Sequence, residues 1–595
     1  MLARSIQIHG GLQSSAIRMF ALVLLFSCSS LAIAADKPGE IPDWALGALS
    51  FGRLQTGVDK AGAYASKFMP NLGALAKQAI MSKLFKVPVG AGIANGPATV
   101  YLLDPVVTGL TEATAFILPI ADAATARADL IAALGPPTLS HSSSDEDTIM
   151  TFTVLQPPPA DDETLLVKLT QGHLLAAPNA AILKKLEFVA ERENKAAPVK
   201  DLNDAEIPDA RLAVKVGAVR RLFETIVEFG LMQGAEMVSR DPRQTENLKA
   251  QIKQALNTLW QIDVIEAHLN FAPAGAPVAL ALELQIFPAK GTDLSTQLVK
   301  PATPTHGEML RLLPQDAPLV GAWNLDGVPL VHWLRAELNE QKPAAGGQLD
   351  LLRALLDVLK HGNSEGAFTF SGTNETGTAL ALALRADDPK ITEVALNAAI
   401  EKVQTNPSVP LASLGIAPLK QEVYAGRRID RYQCESDLLN PSRRNATTFQ
   451  VALTGTGLML AYGKGGLEVL EKAIDIGLDI EREKQQHPLG NAVQARIGSL
   501  PKDTCALISA HLVSLARMEP ISGGTHIEKM AGNLEDAIVT LSLRQTTTVI
   551  ALRLDLPVDA AQAAYILFQS LPPMFATPPA HDAKRENVPA PPPAK

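Results

Sequence analysis

The chain has 595 residues, of which 47% are hydrophobic and 19% are charged, and its net charge at pH 7 is −9. This composition excludes a mainly disordered protein, and the length predicts two domains or two large halves. Basic residues occur in isolated pairs such as Arg427-Arg428 rather than in broad patches, so nucleic acid is excluded as a partner.

The N-terminus has the pattern of an export signal. Two arginines precede the apolar run Met19 to Phe26, which leads to Ala32-Ile33-Ala34, a small-x-small sequence that signal peptidase accepts. The run is shorter than the ~20 residues that cross a bilayer, so residues 1–34 are interpreted as a signal peptide rather than an anchor. Cleavage is expected after Ala34 or Ala35, and lipidation of Cys28 is the alternative. No later segment is apolar over a membrane-spanning length, so a periplasmic or extracellular protein without a transmembrane segment is expected.

The first half of the chain is predicted as three units of strands and helices. The first unit has helices over 51–68 and 72–84, strands over 99–103 and 114–118, and a helix that begins after Asp122. The second, shorter unit has strands over 167–170 and 174–176 and a helix from Ala180. The third has a strand over 212–216, helices over 219–229 and 248–260, a hairpin within 262–287, and a helix from Asp293.

The second half repeats this order. A strand over 319–325 and helices over 329–338 and 349–359 precede the stretch Ser364 to Val403, which predicts a hairpin followed by a helix capped by Asp388. A short unit follows, with strands over 451–454 and 458–460 and a helix from Gly466. The last unit has a strand over 506–512, a helix over 527–534, a hairpin over 538–556 and a helix from Asp559.

The matched order predicts an internal duplication. We therefore expect an α+β fold of two halves, residues 36–305 and 306–571, each with an antiparallel sheet covered by helices. The alternative is that any α+β protein offers hairpin-then-helix segments by chance. Residues 572–595 are rich in proline and alanine and are predicted to be a disordered tail.

Alternating leucines and small residues predict which strand faces are buried. In the hairpins of the two halves, leucine recurs at every second position and is predicted to form the core side of each strand. These leucines are Leu280, Leu282, Leu284, Leu380, Leu382 and Leu384.

The sequence contains no recognisable catalytic or metal-binding motif. It has no GxxxxGK[ST], GxSxG or HExxH pattern, so no catalytic, cofactor-binding or metal-binding residue and no cofactor is predicted. Glu266 and His268 lie two residues apart on a predicted strand and share one face. A metal site is one interpretation of this pair, but we expect the two side chains to lie on a solvated strand face.

Cys434 and Cys505 remain once the predicted signal is removed. An even pair in an exported protein predicts one disulfide bond between them, and two unpaired buried thiols are the alternative.

The export signal and the tandem hairpin-helix units, for example Thr378 to Val403 and Thr448 to Ala473, resemble large uncharacterised secreted bacterial proteins. That resemblance implies no activity and no site residues. We expect a non-catalytic protein that binds a protein, lipid or other envelope component in the cell envelope or outside the cell. The alternative is an envelope hydrolase whose catalytic residues are dispersed over loops.

Overall fold

A computed structural model describes the chain between residues 41 and 570 with gaps, of which the longer ones are 86–91, 141–147, 155–162, 196–207, 239–244, 272–279, 325–364, 406–416, 435–446, 484–499 and 517–533. The predicted signal peptide and the tail lie outside the described residues. So do the helices predicted over 329–338 and 349–359, almost all of the helix over 527–534, and part of the helix over 248–260.

Twenty-one strands dominate the fold. They are β1 (Ala45–Phe51), β2 (Ala98–Leu103), β3 (Thr114–Pro119), β4 (Thr138–Ser140), β5 (Ile149–Val154), β6 (Glu163–Thr170), β7 (His173–Ala177), β8 (Ala210–Lys215), β9 (Ile262–Phe271), β10 (Leu280–Pro288), β11 (Leu319–Asn324), β12 (Glu365–Thr373), β13 (Gly377–Arg385), β14 (Ala417–Pro418), β15 (Glu422–Tyr424), β16 (Arg427–Cys434), β17 (Thr447–Leu453), β18 (Gly457–Gly463), β19 (Thr504–His511), β20 (Ile538–Gln545) and β21 (Ile550–Leu556).

The described helices connect these strands. They are α1 (Leu54–Ser66), α2 (Leu72–Ala79), α3 (Pro105–Thr108), α4 (Ala123–Leu134), α5 (Ala180–Lys195), α6 (Val216–Val238), α7 (Asp293–Gln297), α8 (Pro389–Thr405), α9 (Gly466–Glu483), α10 (Leu512–Ala516) and α11 (Val558–Ser570), with a 3-10 helix at Glu308–Leu312. Among the described residues, no helix is both long enough and apolar enough to cross a membrane.

All the strands belong to one antiparallel sheet. From one edge to the other, neighbouring strands pair in the order β4, β5, β6, β7, β3, β2, β1, β8, β9, β10, β21, β20, β19, β11, β12, β13, β18, β17 and β16, and β14 and β15 both pair with β16. The pairing of β10 with β21 joins the strands of the first half of the chain to those of the second.

The expectation that each half forms its own sheet is therefore wrong. Two separate sheets would leave β10 and β21 as edge strands with unpaired backbone groups, and exposed edges of this kind are prone to further pairing. In the structure these two strands pair with each other from Leu280 opposite Leu556 to Ile286 opposite Ile550. The alternating pattern of each strand was readable from the sequence, but the partner across this long-range join was not.

Within the single sheet, the strand order repeats on both sides of the join. Outward from β10 the order is β9, β8, β1, β2, β3, β7, β6 and β5, and outward from β21 it is β20, β19, β11, β12, β13, β18, β17 and β16. Each second-half strand thus occupies the place of its first-half counterpart. This repeated order agrees with an internal duplication, which itself stays a prediction about the origin of the chain.

Matching local interactions occur at matching places in this order. Asp122 accepts a hydrogen bond from the backbone N–H of Thr125 at the start of α4, and Asp388 accepts from the N–H of Ile391 at the start of α8. Both helices follow equivalent strands, β3 and β13. Side-chain acceptors at these positions satisfy amide hydrogens that the first helical turn leaves without partners.

Hydrophobic clusters cover parts of both faces of the sheet. On one face, α1 and α4 pack over the strands of the first half, and a smaller cluster around Leu384, Leu396 and Leu458 covers β13, β17 and β18. On the opposite face, α5 packs against first-half strands and α9 against second-half strands. At the middle of the sheet, around the β10–β21 join, the aliphatic side chains of one face are instead only partly buried.

Candidate apolar binding face

The strands at the middle of the sheet have two chemically opposite faces. In β10, Leu282, Leu284 and Ile286 alternate with Glu283 and Gln285. Because successive side chains of a strand point to opposite faces, the aliphatic residues lie on one side and the polar residues on the other. The same alternation continues in β21 and β20, so that both surfaces extend across the join.

One surface, which we call the central aliphatic face, consists of nine side chains in register. Cross-strand pairs such as Leu284 with Leu552, Leu552 with Leu543, and Leu541 with Ile508 place them side by side. The nine are Leu282, Leu284 and Ile286 on β10, Ile550, Leu552 and Leu554 on β21, Leu541 and Leu543 on β20, and Ile508 on β19.

None of these nine side chains is fully buried. Leu552 is 39% exposed and Ile508 is 42% exposed, and the other seven are partly exposed. No hydrophobic cluster of the described residues includes any of the nine. Single exposed apolar residues are ordinary, but a contiguous apolar patch is a feature that marks interaction or ligand-binding surfaces.

The prediction that the alternating leucines are buried is therefore wrong for four of the six, although one of these four, Leu382, packs against the cluster around Leu384. Leu280 and Leu384 are buried, whereas Leu282, Leu284, Leu380 and Leu382 are only partly so. The small residues between them, such as Ala381 and Ala383, are the more deeply buried ones. Alternation in a sequence shows that a strand has two faces, but it does not show which of them other elements cover.

The opposite side of the same strands carries a buried polar network. It consists of Arg211 on β8, Glu266 and His268 on β9, Glu283 and Gln285 on β10, Arg544 on β20, and Arg553 and Asp555 on β21. Its three arginines and three carboxylates balance in formal charge. Glu266 and Glu283 are each only 1% exposed.

Short contacts pair the charges within this network. The guanidinium of Arg211 donates to Glu266, with Nε 2.9 Å from Oε2, and Nε2 of His268 lies 2.9 Å from the same oxygen. Arg544 forms an ion pair with Glu283. Nε of Arg553 is 2.8 Å from Oδ1 of Asp555.

Gln285 donates from Nε2 to Oε1 of Glu283 at 2.7 Å, so Glu283 accepts hydrogen bonds from its own strand as well as from Arg544. Buried ionised groups are tolerated where they are paired and hydrogen-bonded, as they are here. These contacts link β8 to β9 on one side of the join and β10 to β20 across it, while the pair of Arg553 and Asp555 lies within β21.

Burial and pairing act in opposite directions on the carboxylates. Burial raises the pKa of Glu266, but the hydrogen bonds from His268 and Arg211 outweigh it, so the net pKa is lowered and the carboxylate is favoured. For Asp555, burial is the largest effect and raises the pKa, although the charge of Arg553 opposes it. The balance between burial and the partners of each carboxylate therefore decides the direction of its pKa shift.

The interpretation of Glu266 and His268 as a solvated strand face is also wrong. They do share one side of β9, but that side is buried and both residues belong to the polar network. No group of three or more His, Cys, Asp or Glu residues suited to a metal ion occurs among the described residues. Nδ1 of His268 has no hydrogen-bond partner within the part of the chain that the structure describes.

Hydroxyl groups lie in the same cross-strand row as His268, but they are too far from its ring to form a hydrolase site with it. Ser50 lies two strands away, through Arg211, and Ser542 lies three strands away, through Glu283 and Arg553. At about 4.8 Å per strand these separations are roughly 10 and 14 Å. A nucleophile and its base need to come within about 3.2 Å of each other.

The predicted disulfide bond is absent from the structure. Cys505 is a free, buried thiol on β19 whose Sγ donates to the carbonyl oxygen of Leu543 at 3.3 Å. Cys434 ends β16, and five strands lie between β19 and β16 in the sheet. At about 4.8 Å per strand this corresponds to roughly 29 Å, far beyond the ~7 Å that two bridged α-carbons allow. Burial raises the pKa of the Cys505 thiol to about 11.

The sequence contains a signal for the polar network outside any known catalytic or metal-binding motif. Polar residues recur two apart on three strands, as Glu266 and His268, Glu283 and Gln285, and Arg553 and Asp555. When the residues between such pairs are aliphatic, the pattern indicates a strand with one polar and one apolar side.

Comparison of the chain with protein-family models, with curated proteins and with solved structures gives no match.

Proposed function

We propose that this chain is an exported, non-catalytic binding protein, and that its central aliphatic face contacts a macromolecular or lipidic partner in the cell envelope or outside the cell. The observation that carries the proposal is the partial exposure of nine contiguous aliphatic side chains at the middle of the sheet. The described hydrophobic clusters leave this apolar surface uncovered. Its removal from water by a partner is favourable and therefore stabilises the complex.

The polar network supports binding rather than hydrolysis as the role of this region. Its carboxylates are engaged in ion pairs or hydrogen bonds with Arg211, His268, Arg544 and Arg553. The contacts of Arg211 with Glu266 and of Arg544 with Glu283 cross between strands and support the register of the sheet from one side, while the described residues leave the other side partly exposed. Ligand sites of soluble proteins are mostly apolar and largely pre-formed, in agreement with this arrangement.

An apolar fluorescent dye that brightens on hydrophobic surfaces tests the proposal. We expect the wild-type protein to bind the dye, and Leu552→Lys to weaken dye binding by about ten-fold or more, because a charge on the face opposes apolar contact. Val423→Lys is the matched control, because Val423 is 76% exposed on β15 at an edge of the sheet, away from the face. Circular dichroism checks that both variants fold. Equal dye binding by all three proteins would refute the proposed role of the face.

The export component rests on the N-terminal sequence. Expression of the full chain in a bacterium, followed by intact-mass measurement of the extracytoplasmic protein, is expected to show loss of residues 1–34 or 1–35. Recovery of the unprocessed chain in the cytoplasm alone would contradict it.

A further inference from the structure

Starting from the proposed binding role, we infer that the occupant of the central aliphatic face is the long hydrocarbon chain of a fatty acid or other acyl lipid. The first reason is the chemistry of the surface. Its nine side chains are leucine and isoleucine, without a charge, hydroxyl or amide among them. Gln545, which is buried opposite Ile550, marks one corner of the face.

The backbone beneath the face also offers no polar contact. β10, β21, β20 and β19 each pair with a strand on both sides. Their ladder N–H and C=O groups are consequently engaged within the sheet, so an incoming peptide has no free edge here to which it could add as a strand. A protein surface that docks at this place would have to leave its own polar groups without partners.

The size of the face argues in the same direction. From Leu282 to Ile286 it extends about 14 Å along β10, and from β10 to β19 it crosses three inter-strand spacings, about 15 Å. The product, roughly 200 Å², is well below the ~800 Å² that each partner buries in a stable protein–protein interface. Such interfaces also carry about one hydrogen bond per 100–200 Å², and these side chains can form none.

An acyl chain fits both the lack of polar contacts on the face and its small area. The hydrocarbon core of a bilayer is about 30 Å thick, so one extended acyl chain reaches about 15 Å, close to the dimensions of the face. Aliphatic carbon on both sides leaves no polar group to desolvate, while the polar end of the lipid can extend past the edge of the face into water. The buried polar network on the reverse side keeps the strands in register, so the surface is formed before the ligand arrives.

Displacement of the bound dye by octanoate, dodecanoate and palmitate, each below its micelle concentration, tests the inference on the full protein. We expect affinity to rise about four-fold per methylene group buried, until the chain exceeds the length of the face. Leu552→Lys should abolish this dependence on chain length, and Val423→Lys should leave it unchanged. A fatty acid with a photoreactive group on its chain should label β21 or β19 of the wild-type protein.

The outcomes separate this inference from the proposed function. If the dye binds the wild type and Val423→Lys, but not Leu552→Lys, and palmitate does not displace it, the acyl-chain assignment is overturned while the binding face stands. Sedimentation that shows a dimer in the wild type and a monomer in Leu552→Lys would assign the face to a second copy of the chain. Co-flotation with phosphatidylcholine vesicles without binding of monomeric palmitate would assign it to a membrane surface. Either result would replace the inferred ligand.

Discussion

Leu282 of β10 and Leu554 of β21 lie directly opposite each other across the strand pair that joins the two halves of the chain. Both leucines are partly exposed, whereas the next pair along, Glu283 and Arg553, points to the other side and is buried. At the join, therefore, the usual distribution of apolar and charged residues is reversed. The charged side is stable because its members pair with one another, whereas the apolar side stays partly exposed.

This reversal predicts unequal costs for two leucine truncations. Leu384→Ala removes a side chain that is 5% exposed and packs with Leu396 and Leu458, so it should lower the free energy of unfolding by ~2–5 kcal/mol. Leu552→Ala removes one that is 39% exposed, and a loss below about 1 kcal/mol is expected. Urea denaturation of both variants measures the difference. Equal losses would show that the central aliphatic face is packed as core in solution.

The ion pair between Arg544 and Glu283 predicts strong coupling between two substitutions. Arg544→Met leaves the carboxylate of Glu283 buried without its cation and should cost ~3–5 kcal/mol of stability. Adding Glu283→Leu removes the unpaired charge, so the double variant should be more stable than Arg544→Met alone. A double-mutant cycle by urea denaturation gives the coupling energy. Additive losses would mean that the pair does not stabilise the join.

The lowered pKa of Glu266 predicts a pH-dependent contribution to stability. The group ordinarily titrates near 4.5, and its folded-state pKa is lower, so its contribution is fully present above pH 4.5 and is lost as the pH falls through the folded value. Glu266→Gln should therefore destabilise the protein at pH 7 and differ less from the wild type in acid.

The control for this measurement is Glu224→Gln. Glu224 pairs with Arg220 four residues away on an exposed part of α6, where an ion pair is worth only ~0.2–0.5 kcal/mol. Urea midpoints of the three proteins across the acid range make the comparison. A constant gap between Glu266→Gln and the wild type at every pH would contradict the assigned ionisation.

The separation of β16 from β19 predicts the state of the two cysteines. In protein that begins at residue 36, titration after denaturation without reductant should find two free thiols, Cys434 and Cys505. In the folded protein at pH 8, Cys505 should react with iodoacetamide far more slowly than after unfolding, because it is buried and its thiol pKa is about 11. A thiol count that rises on reduction would instead establish a bridge.

Local features of the fold were readable from the sequence because local interactions produce them. The capped helix after Asp388, the hairpin of β9 and β10, and the helix from Gly466 all form where spacing, turn residues and caps indicate them. β1 was missed, although Ala45–Phe51 pairs with both β2 and β8, because its small and mixed residues lack clear alternation.

The sequence by itself determined that the strands around residues 280 and 550 have one aliphatic and one polar side, because side chains alternate along any strand. Only the tertiary structure decided that β10 pairs with β21 and that Glu283 and Arg553 face the interior while Leu282 and Leu554 remain partly exposed. Both results depend on contacts between residues far apart in the chain. A buried charge is tolerated only when such a distant partner, here Arg544 for Glu283, is placed beside it, and no local pattern contains that information.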